Sequence, residues 1–541
     1  MTDEAIRSNA AERVKSVLGD AGIRKSDVQI RDFPDELFVI VSVEQDYAAT
    51  VGTLTGAMED AVSSESGLDG AAITVLVRVE SSGSLDPDLP GENARVGRLS
   101  GPKVEQLVKL MGARSRTSIS VPSFQYKEDP RTSVSAAAEA RNHLIFGRRG
   151  VGKTALLLEV KRTVEQRGEA QRWVNMHVLR ELSPEDAFAS IMSDVLGEIA
   201  SHLSDASPKA EQIRELSRKH RDGENDARDL PRVNSVLREI LVPGTLAFYL
   251  LIDDFYLYPA ESQPKLLDLL AASFRDCNAW IKVASIERLT RAFESSTRTG
   301  LEVPHDAIVI NLDVTLENPR DTQEFLESIT QSYVASVGIS STRALAKPEA
   351  SGRLVLSSGG VPRDYLNLFS NSILVARKSR ESAAEIGSQD VAKAAGEYSQ
   401  SKKRDLEQDV GAVESERMLE FLENLLSEVK GAHYTYFRVD YSQKEHSNYE
   451  YLARLVDFRF CHLIQSMVSD QHRAGVKYEA YLLALSEYSD VRVQRNLNVL
   501  DIVGGEWVAK TTGVAGAPKS LKGTQLRDRL RSAPVVNLDS L

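Results

Sequence analysis

The 541-residue sequence is poor in cysteine and lacks any long apolar run. Its two cysteines, Cys277 and Cys461, lie far apart in the chain, which suits the reducing cytoplasm. Nine histidines form no spaced cluster with them, so we expect no structural zinc site. No apolar run reaches about 18 residues, and the first residues are polar and acidic. We therefore expect neither a membrane span nor a signal peptide.

Basic residues are fewer than acidic ones. Lys and Arg total 66 against 78 Asp and Glu, which gives a formal net charge of −12. This balance argues against nonspecific nucleic-acid binding over the whole surface and allows only a local basic face. Hydrophobic residues make up 42% of the chain, as in ordinary globular proteins. A chain of this length predicts roughly three or four domains.

A glycine-rich segment lies between a predicted strand at 143–146 and a predicted helix at 155–160. Its residues are Gly147, Arg148, Arg149, Gly150, Val151, Gly152, Lys153 and Thr154, followed by Ala155. Glycines let backbone N–H groups surround the dense negative charge of nucleotide phosphates, and a helix N-terminus adds its positive dipole end. Lys153 is expected to contact the β- and γ-phosphates, and the Thr154 hydroxyl to bind Mg²⁺. The segment is therefore predicted to bind ATP.

Two aspartates follow a second apolar stretch, at 246–252. Seven consecutive apolar residues indicate a central parallel strand that is buried on both faces. A carboxylate at the end of such a strand is costly unless its charge is used. We expect Asp253 to bind Mg²⁺ and Asp254 to orient or deprotonate the attacking water. The alternative is that the two aspartates cap the next helix.

The remaining pattern predicts an α/β P-loop ATPase core followed by helical and mixed segments. Strands are expected near 143–146, 172–178, 246–252, 280–286 and 307–313. Helices between them predict a five-stranded parallel sheet. The predicted segments are a small α/β adaptor domain (1–80), a linker (81–103), the ATPase core (104–316), a helical lid (317–410), a winged-helix domain (411–507) and a mobile basic tail (508–541).

Three motifs together resemble AAA+ ATPases of the origin-recognition (ORC/CDC6-like) type, and the related STAND signalling ATPases are similar. They are Gly147–Thr154, Ile252-Asp253-Asp254 and Gly360-Val361-Pro362-Arg363. The resemblance covers roughly residues 104–500. It implies that the lid arginine Arg363 is the second sensor and contacts the γ-phosphate, and that Ser285 occupies the first-sensor position.

The resemblance also implies an arginine that acts on a neighbouring subunit's nucleotide, and hence a homo-oligomer. Arg298 is the first candidate and Arg291 the second, although either is equally an ordinary exposed loop residue. Asp254 stands where the family often has glutamate, and Ser285 where asparagine is frequent. These departures favour a slow, switch-like ATPase over a fast motor.

Two functions remain open. In the first, an ATP-dependent cytoplasmic switch acts on double-stranded DNA through Lys444, Arg454, Arg473 and Lys477 of the winged helix. Those four residues are equally consistent with an ordinary solvated surface. In the second, a STAND-type signalling or defence scaffold uses ATP to control its assembly and recruits protein partners without binding DNA. In either case the N-terminal domain is a candidate site for a protein partner.

Overall fold

The computed structural model describes most of the chain. The described residues are 4–23, 26–33, 36–44, 47, 50–51, 54–63, 72–80, 98–114, 133–223, 229–380, 382–410, 412–470, 473, 475–489, 496–513, 518–522 and 524–541. The chain divides into two compact units, Met1–Gly97 with Gly112–Gln125, and Arg98–Met111 with Tyr126–Leu541. No helix among the described residues is long and apolar enough to cross a membrane.

The N-terminal unit is a small α/β domain, as predicted. Its elements are α1 (Glu4–Asp20), β1 (Ser26–Phe33), β2 (Glu36–Glu44), α2 (Thr55–Ser63) and β3 (Ala72–Glu80). The sheet order is β1-β2-β3, in which β1 and β2 are antiparallel and β2 and β3 are parallel. Val39, Val41 and Val43 alternate along β2 and are buried with Val14 and Met58 of the helices. The predicted linker falls outside the described residues up to position 97.

The core of the second unit is a five-stranded parallel sheet of order β10-β4-β7-β6-β5, which confirms the predicted fold class. Its strands are β4 (His143–Phe146), β5 (Ala170–Asn175), β6 (Phe248–Asp253), β7 (Ala279–Ser285) and β10 (Ile308–Asn311), and a hairpin of β8 (Phe293–Glu294) and β9 (Thr299–Gly300) lies between the last two. All six residues of β6 are buried, as expected for a central strand.

Helices cover both faces of this sheet. The helix α3 (Pro102–Arg114) is not one of them, and its Lys103 donates to the Gly338 carbonyl over 3.1 Å. The covering helices are α4 (Ser133–Ala137), α5 (Lys153–Gln166), α6 (Pro184–Ser201), α7 (Pro208–Arg221), α8 (Asp229–Ile240) and α9 (Gln263–Ser273). Side chains alternate along β6 because a strand has a period of two. Phe248 and Ile252 therefore pack in one apolar cluster with α6, α8 and α9, and Tyr249 and Leu251 pack in another with α5.

Four helices form the predicted lid. They are α10 (Pro319–Ser336), α11 (Pro348–Ser358), α12 (Pro362–Ser379) and α13 (Ser388–Val410). The predicted helix start at Asn318-Pro319 is confirmed, because the Asn318 side chain accepts a hydrogen bond from the backbone N–H of Asp321. Proline occupies the first turn of α10, α11 and α12, where its missing N–H costs nothing.

The C-terminal domain has the predicted winged-helix order of helix, strand, helix and β-hairpin. Its elements are α14 (Ala412–Gly431), β11 (Tyr436–Asp440), α15 (Ser447–Asp457), β12 (Cys461–Ser469), β13 (Lys477–Leu483) and a short α16 (Ser486–Ser489). The three strands form an antiparallel sheet of order β11-β13-β12. Tyr436 and Phe437 are consecutive in β11, so they point to opposite faces of the sheet, and both are fully buried. Tyr434, just before the strand, is half-buried.

The expectation of a mobile basic tail is wrong. Described residues from Asn498 onward form β14 (Asn498–Val503), β15 (Glu506–Thr511), β16 (Lys519–Ser520) and α17 (Gln525–Arg531). Leu530, Val536 and Leu538 are fully buried. The Val536 N–H donates to the Arg438 carbonyl over 2.8 Å, which fixes the last segment to β11. The prediction was based on the basic residues of this segment. It overlooked the apolar residues between them, which pack these elements against the domain.

Candidate functional site

The predicted site residues meet at one edge of the parallel sheet. Strand β4 ends at Phe146, directly beside Ser285 at the end of β7. The next strand, β6, ends at Asp253. Because parallel strands end at the same edge, the loop after β4 lies close to the aspartates.

The glycines of the P-loop are required by its backbone. Gly150 and Gly152 have φ values of 90° and 105°, a region that favours glycine. A Cβ on Gly147 would lie 2.6 Å from Cγ2 of Val151, which is buried beneath the loop. Gly152 is the N-cap of α5 and supplies no capping side chain. The first N–H groups of α5, which include those of Thr154 and Ala155, thus suit an anionic ligand.

Lys153 lies buried within the loop. Its ammonium donates to the carbonyls of Gly147 over 2.8 Å and Arg148 over 3.2 Å. Burial lowers the pKa of Lys153 to about 8, although the carboxylates of Asp254 and Asp313 oppose that shift. The side chain of Arg149, by contrast, is exposed.

The two residues predicted to bind Mg²⁺ are in direct contact. The Thr154 hydroxyl donates to Oδ2 of Asp253 over 2.8 Å. Burial, and then the charge of Asp254, raise the pKa of Asp253 to about 6. A hydroxyl and a carboxylate are the hard oxygen donors that Mg²⁺ prefers, and a cation would relieve the cost of this buried charge.

Asp254 and Ser285 differ in how they are presented. Asp254 has a left-handed backbone with φ of 53°, its N–H donates to Oδ1 of Asp253 over 3.0 Å, and its side chain is half-buried. Ser285 is fully buried, and its hydroxyl shares a hydrogen bond with the Thr290 hydroxyl. The predicted catalytic role of each stays a prediction.

The start of lid helix α12 touches the P-loop. The Arg363 N–H donates to the Gly150 carbonyl over 3.2 Å. The Arg363 side chain also covers this glycine, since a Cβ on Gly150 would lie 2.8 Å from the guanidinium Nε. The structure therefore brings the predicted second sensor to the predicted phosphate loop.

Arg148 has a role that the sequence pattern did not reveal. Its backbone N–H and its Nε both donate to Oδ1 of Asp313 over 3.0 Å. Its terminal nitrogen donates to the carbonyls of Val314 and Gly359 over 3.1 Å and 3.0 Å. The buried side chain of Arg148 and its backbone N–H are thus both committed to protein acceptors in the core and the lid. Asp313 is the last residue of the predicted fifth strand, so the sequence could have predicted a carboxylate at the same edge of the sheet as Asp253.

Two adjacent glycines of the lid allow it to lie close to the core and to the C-terminal domain. Gly359 and Gly360 have φ values of 57° and 83°. A Cβ on Gly360 would overlap the Val314 carbonyl, and one on Gly359 would overlap the ring of His462 in the C-terminal domain. The Gly-Gly pair therefore allows core, lid and C-terminal domain to meet at one turn.

The two candidate trans-acting arginines differ in accessibility. Arg298 is exposed between β8 and β9, with φ of 55°. Within the described residues its side chain forms no hydrogen bond or ion pair. Arg291 is paired with Glu294. The predicted role of either arginine at a neighbouring subunit's nucleotide stays a prediction.

The four candidate DNA-contacting residues fall into two pairs. Lys444 is ion-paired with Glu479 over 2.8 Å, and Arg454 with Glu414 over 2.7 Å. Arg473 and Lys477, in contrast, are exposed at the β12–β13 hairpin. The last described residues also cover the start of α15, since Asn448 donates to the Leu538 carbonyl over 2.9 Å. Within the part of the chain that the structure describes, the β12–β13 hairpin (the wing) therefore offers more unpaired positive charge than α15.

Comparison with protein families agrees with the motifs. Residues 230–454 match a family model described as ORC-CDC6-like. The matched part begins in α8, includes the aspartate pair Asp253-Asp254 and the lid, and ends in α15. The P-loop lies before it in the sequence. The predicted resemblance to ATPases of the ORC/CDC6-like type is confirmed. No curated protein matches the chain.

Several solved structures resemble this chain at low identity. The structure of Drosophila ORC bound to DNA is 15% identical with a TM-score of 0.35, over 76% of this chain and 94% of that one. The Orc1 protein of Aeropyrum pernix in complex with DNA is 13% identical with a TM-score of 0.32, over 74% and 91%. Cdc6p from Pyrobaculum aerophilum is 14% identical with a TM-score of 0.30, over 74% and 93%. The likeness to these structures is remote.

Proposed function

We propose that this chain is a molecular switch that binds ATP between core and lid, hydrolyses it slowly, oligomerises, and acts on double-stranded DNA. The observation that supports nucleotide binding best is the meeting of three groups around one loop. Lys153 lies inside the loop, Asp253 contacts Thr154 at its end, and Arg363 of the lid lies against Gly150. Positive charge, N–H groups at a helix N-terminus and a carboxylate are what a nucleotide phosphate with its metal requires.

Mg²⁺ would be held by the Thr154 hydroxyl and the Asp253 carboxylate. When bound, the ion neutralises charge on the phosphates. Asp254 stands beside this pair and is half-buried, which suits a residue that orients or deprotonates water. Slow turnover is favoured because Asp254 is shorter than the glutamate frequent in the AAA+ family. The Ser285 hydroxyl is also already engaged by Thr290.

DNA binding is supported by the ORC-CDC6-like match and by the exposed basic residues of the wing. The alternative, a signalling scaffold without a DNA role, is supported by the ion pairs of Lys444 and Arg454 and by the net charge of −12. Both functions share the ATP site, so nucleotide binding is tested first.

The test of nucleotide binding is a calorimetric titration with ATP and Mg²⁺. Lys153→Ala should weaken ATP binding by about a hundredfold, because several charge-assisted contacts are lost. Lys161→Ala is the matched control, since Lys161 lies on the same helix and pairs with Glu165 over 3.9 Å. A folded Lys153→Ala protein that binds ATP like the parent would overturn the proposed site.

A further inference from the structure

Arg459 reaches from the C-terminal domain to the P-loop. It lies in the turn between α15 and β12, and its side chain is only 8% exposed. One terminal nitrogen donates to the Arg149 carbonyl over 3.2 Å and to Oδ1 of Asp364 over 2.8 Å. A single guanidinium therefore contacts both the phosphate loop and the start of lid helix α12.

Asp364 is the centre of this junction. Its carboxylate is fully buried and is hydrogen-bonded by the Tyr398 hydroxyl over 3.0 Å. Three cations surround it: Arg459 at 2.8 Å, Lys402 at 3.8 Å and Arg363 at 3.9 Å. Burial alone would raise the pKa of Asp364, yet these cations, Arg459 foremost, hold it below the ordinary value. Arg459 is the nearest counter-charge of Asp364.

The same carboxylate competes for Arg363. That side chain lies between Asp364 and Gly150, so it can turn toward either the buried carboxylate or the P-loop. A buried carboxylate without its main partner is strongly unfavourable. Loss of Arg459 would therefore draw Arg363 toward Asp364 and away from a bound nucleotide.

The C-terminal domain is fixed to the lid elsewhere as well. Gly352 of α11 packs so closely on the Ile502 carbonyl of β14 that a Cβ would overlap it. The adjacent Arg353 forms an ion pair with Asp501 over 3.1 Å, and both side chains are largely buried. A displacement of the lid is therefore transmitted to the C-terminal domain, and the reverse holds too.

We propose that Arg459 is a positioning residue that couples the C-terminal domain to the nucleotide site. It holds the Arg149 carbonyl of the P-loop and satisfies Asp364, which leaves Arg363 for the nucleotide. This inference rests on the proposed ATP-binding function. It adds that the C-terminal domain controls the preference for ATP over ADP.

The first test compares ATP and ADP affinities by calorimetry in Mg²⁺. Arg459→Ala should weaken ATP binding by about tenfold and ADP binding by less than about threefold, because Arg363 acts on the γ-phosphate. Arg459→Lys, which keeps the charge near Asp364, should recover part of the loss. Arg380→Ala is the matched control, because it removes an arginine that pairs with the largely buried carboxylate of Asp390 over 2.5 Å inside the lid. Its affinities should stay within about twofold of the parent.

The second test uses hydrogen exchange, and its main measurement is made on the parent protein, so that measurement does not depend on a variant that folds. Coupling is reciprocal, so ATP should change the protection of residues 455–465 in the parent. In Lys153→Ala this change should vanish. No change in a parent that binds ATP would overturn the coupling, as would a folded Arg459→Ala protein with unaltered ATP and ADP affinities. A parent that binds neither nucleotide would instead overturn the proposed function.

Discussion

The hydroxyl of Thr154 and the carboxylate of Asp253 are joined by a 2.8 Å hydrogen bond, although 99 positions separate them in sequence. Both groups carry oxygen atoms that can bind a metal ion, and Asp253 is buried. This contact ties the first turn of α5 to the end of the central strand. It also places Asp254 next to the same pair. The roles of the two aspartates can then be distinguished by replacing each one singly.

Binding and hydrolysis should respond differently to the two aspartates. Asp254→Ala should reduce ATP turnover by about a hundredfold or more, since general acid–base groups contribute on that scale. ATP affinity should change much less, because Lys153 and the loop N–H groups remain. Asp253→Ala should also reduce turnover more than affinity, through loss of the Mg²⁺ ligand. Steady-state phosphate release beside calorimetric titration checks both. Parent-like turnover of Asp254→Ala would exclude Asp254 as the residue that activates water.

The Arg148–Asp313 ion pair should contribute to stability and to the shape of the loop. Asp313→Ala leaves a buried guanidinium without its carboxylate, and we expect a loss of about 1 to 3 kcal/mol. Arg148→Ala should cost a similar amount. The double variant should lose less than the sum, because the two residues act through one interaction. Thermal unfolding of the four proteins measures this coupling, and strict additivity would contradict it.

Arg298 should act between subunits. Arg298→Ala should lower turnover only where protomers associate, because a trans-acting arginine serves a neighbour's nucleotide. A mixture of Arg298→Ala and Lys153→Ala proteins should partly recover activity, since each supplies what the other lacks. Arg291→Ala is the matched control, as Arg291 is engaged by Glu294. Absence of recovery in a mixed oligomer verified by mass measurement would count against the trans role.

Asp457 makes stability depend on pH. Burial first, and then the nearby Asp313, raise its pKa to about 6, although the Arg288 guanidinium opposes this. A folded-state pKa above the unfolded value of about 3.9 means that the folded protein binds more protons between about pH 4 and pH 6. This residue therefore lowers stability as pH rises through that window. Asp457→Asn should raise Tm by about 1–3 °C at pH 7.5 and by less at pH 5. An equal gain at both pH values would refute the assignment.

DNA binding, if it occurs through the wing, should depend on Arg473 and Lys477. Replacing both by alanine should weaken duplex binding for all sequences alike and reduce the salt slope by about one unit per contact. Replacing Lys444 and Arg454 should have a smaller effect, because both are already paired with carboxylates. Fluorescence anisotropy over a range of salt concentrations, with ATP present, measures this. No affinity of the parent at low salt would favour the signalling scaffold.

The sheet and the phosphate loop were predictable because their signals are local. A glycine-rich turn between strand and helix, or an apolar strand that ends in aspartates, needs no tertiary information. The role of Arg148 was not predictable, since its acceptors are a distant carboxylate and two carbonyls brought together only by the fold. Arg459 likewise acts through Arg149 and Asp364, far away in sequence. The packed C-terminal segment was missed because its basic residues outweighed a sparse apolar pattern.

The contact between Gly352 and the Ile502 carbonyl has a practical consequence for recombination between homologues. Any residue larger than glycine at that position would force α11 away from β14, so the two surfaces must match as a pair. A chimera that takes only the lid from a homologue with a larger residue at position 352 would break this fit. An exchange made just before Asn318, which carries the lid along with the domain, would preserve it.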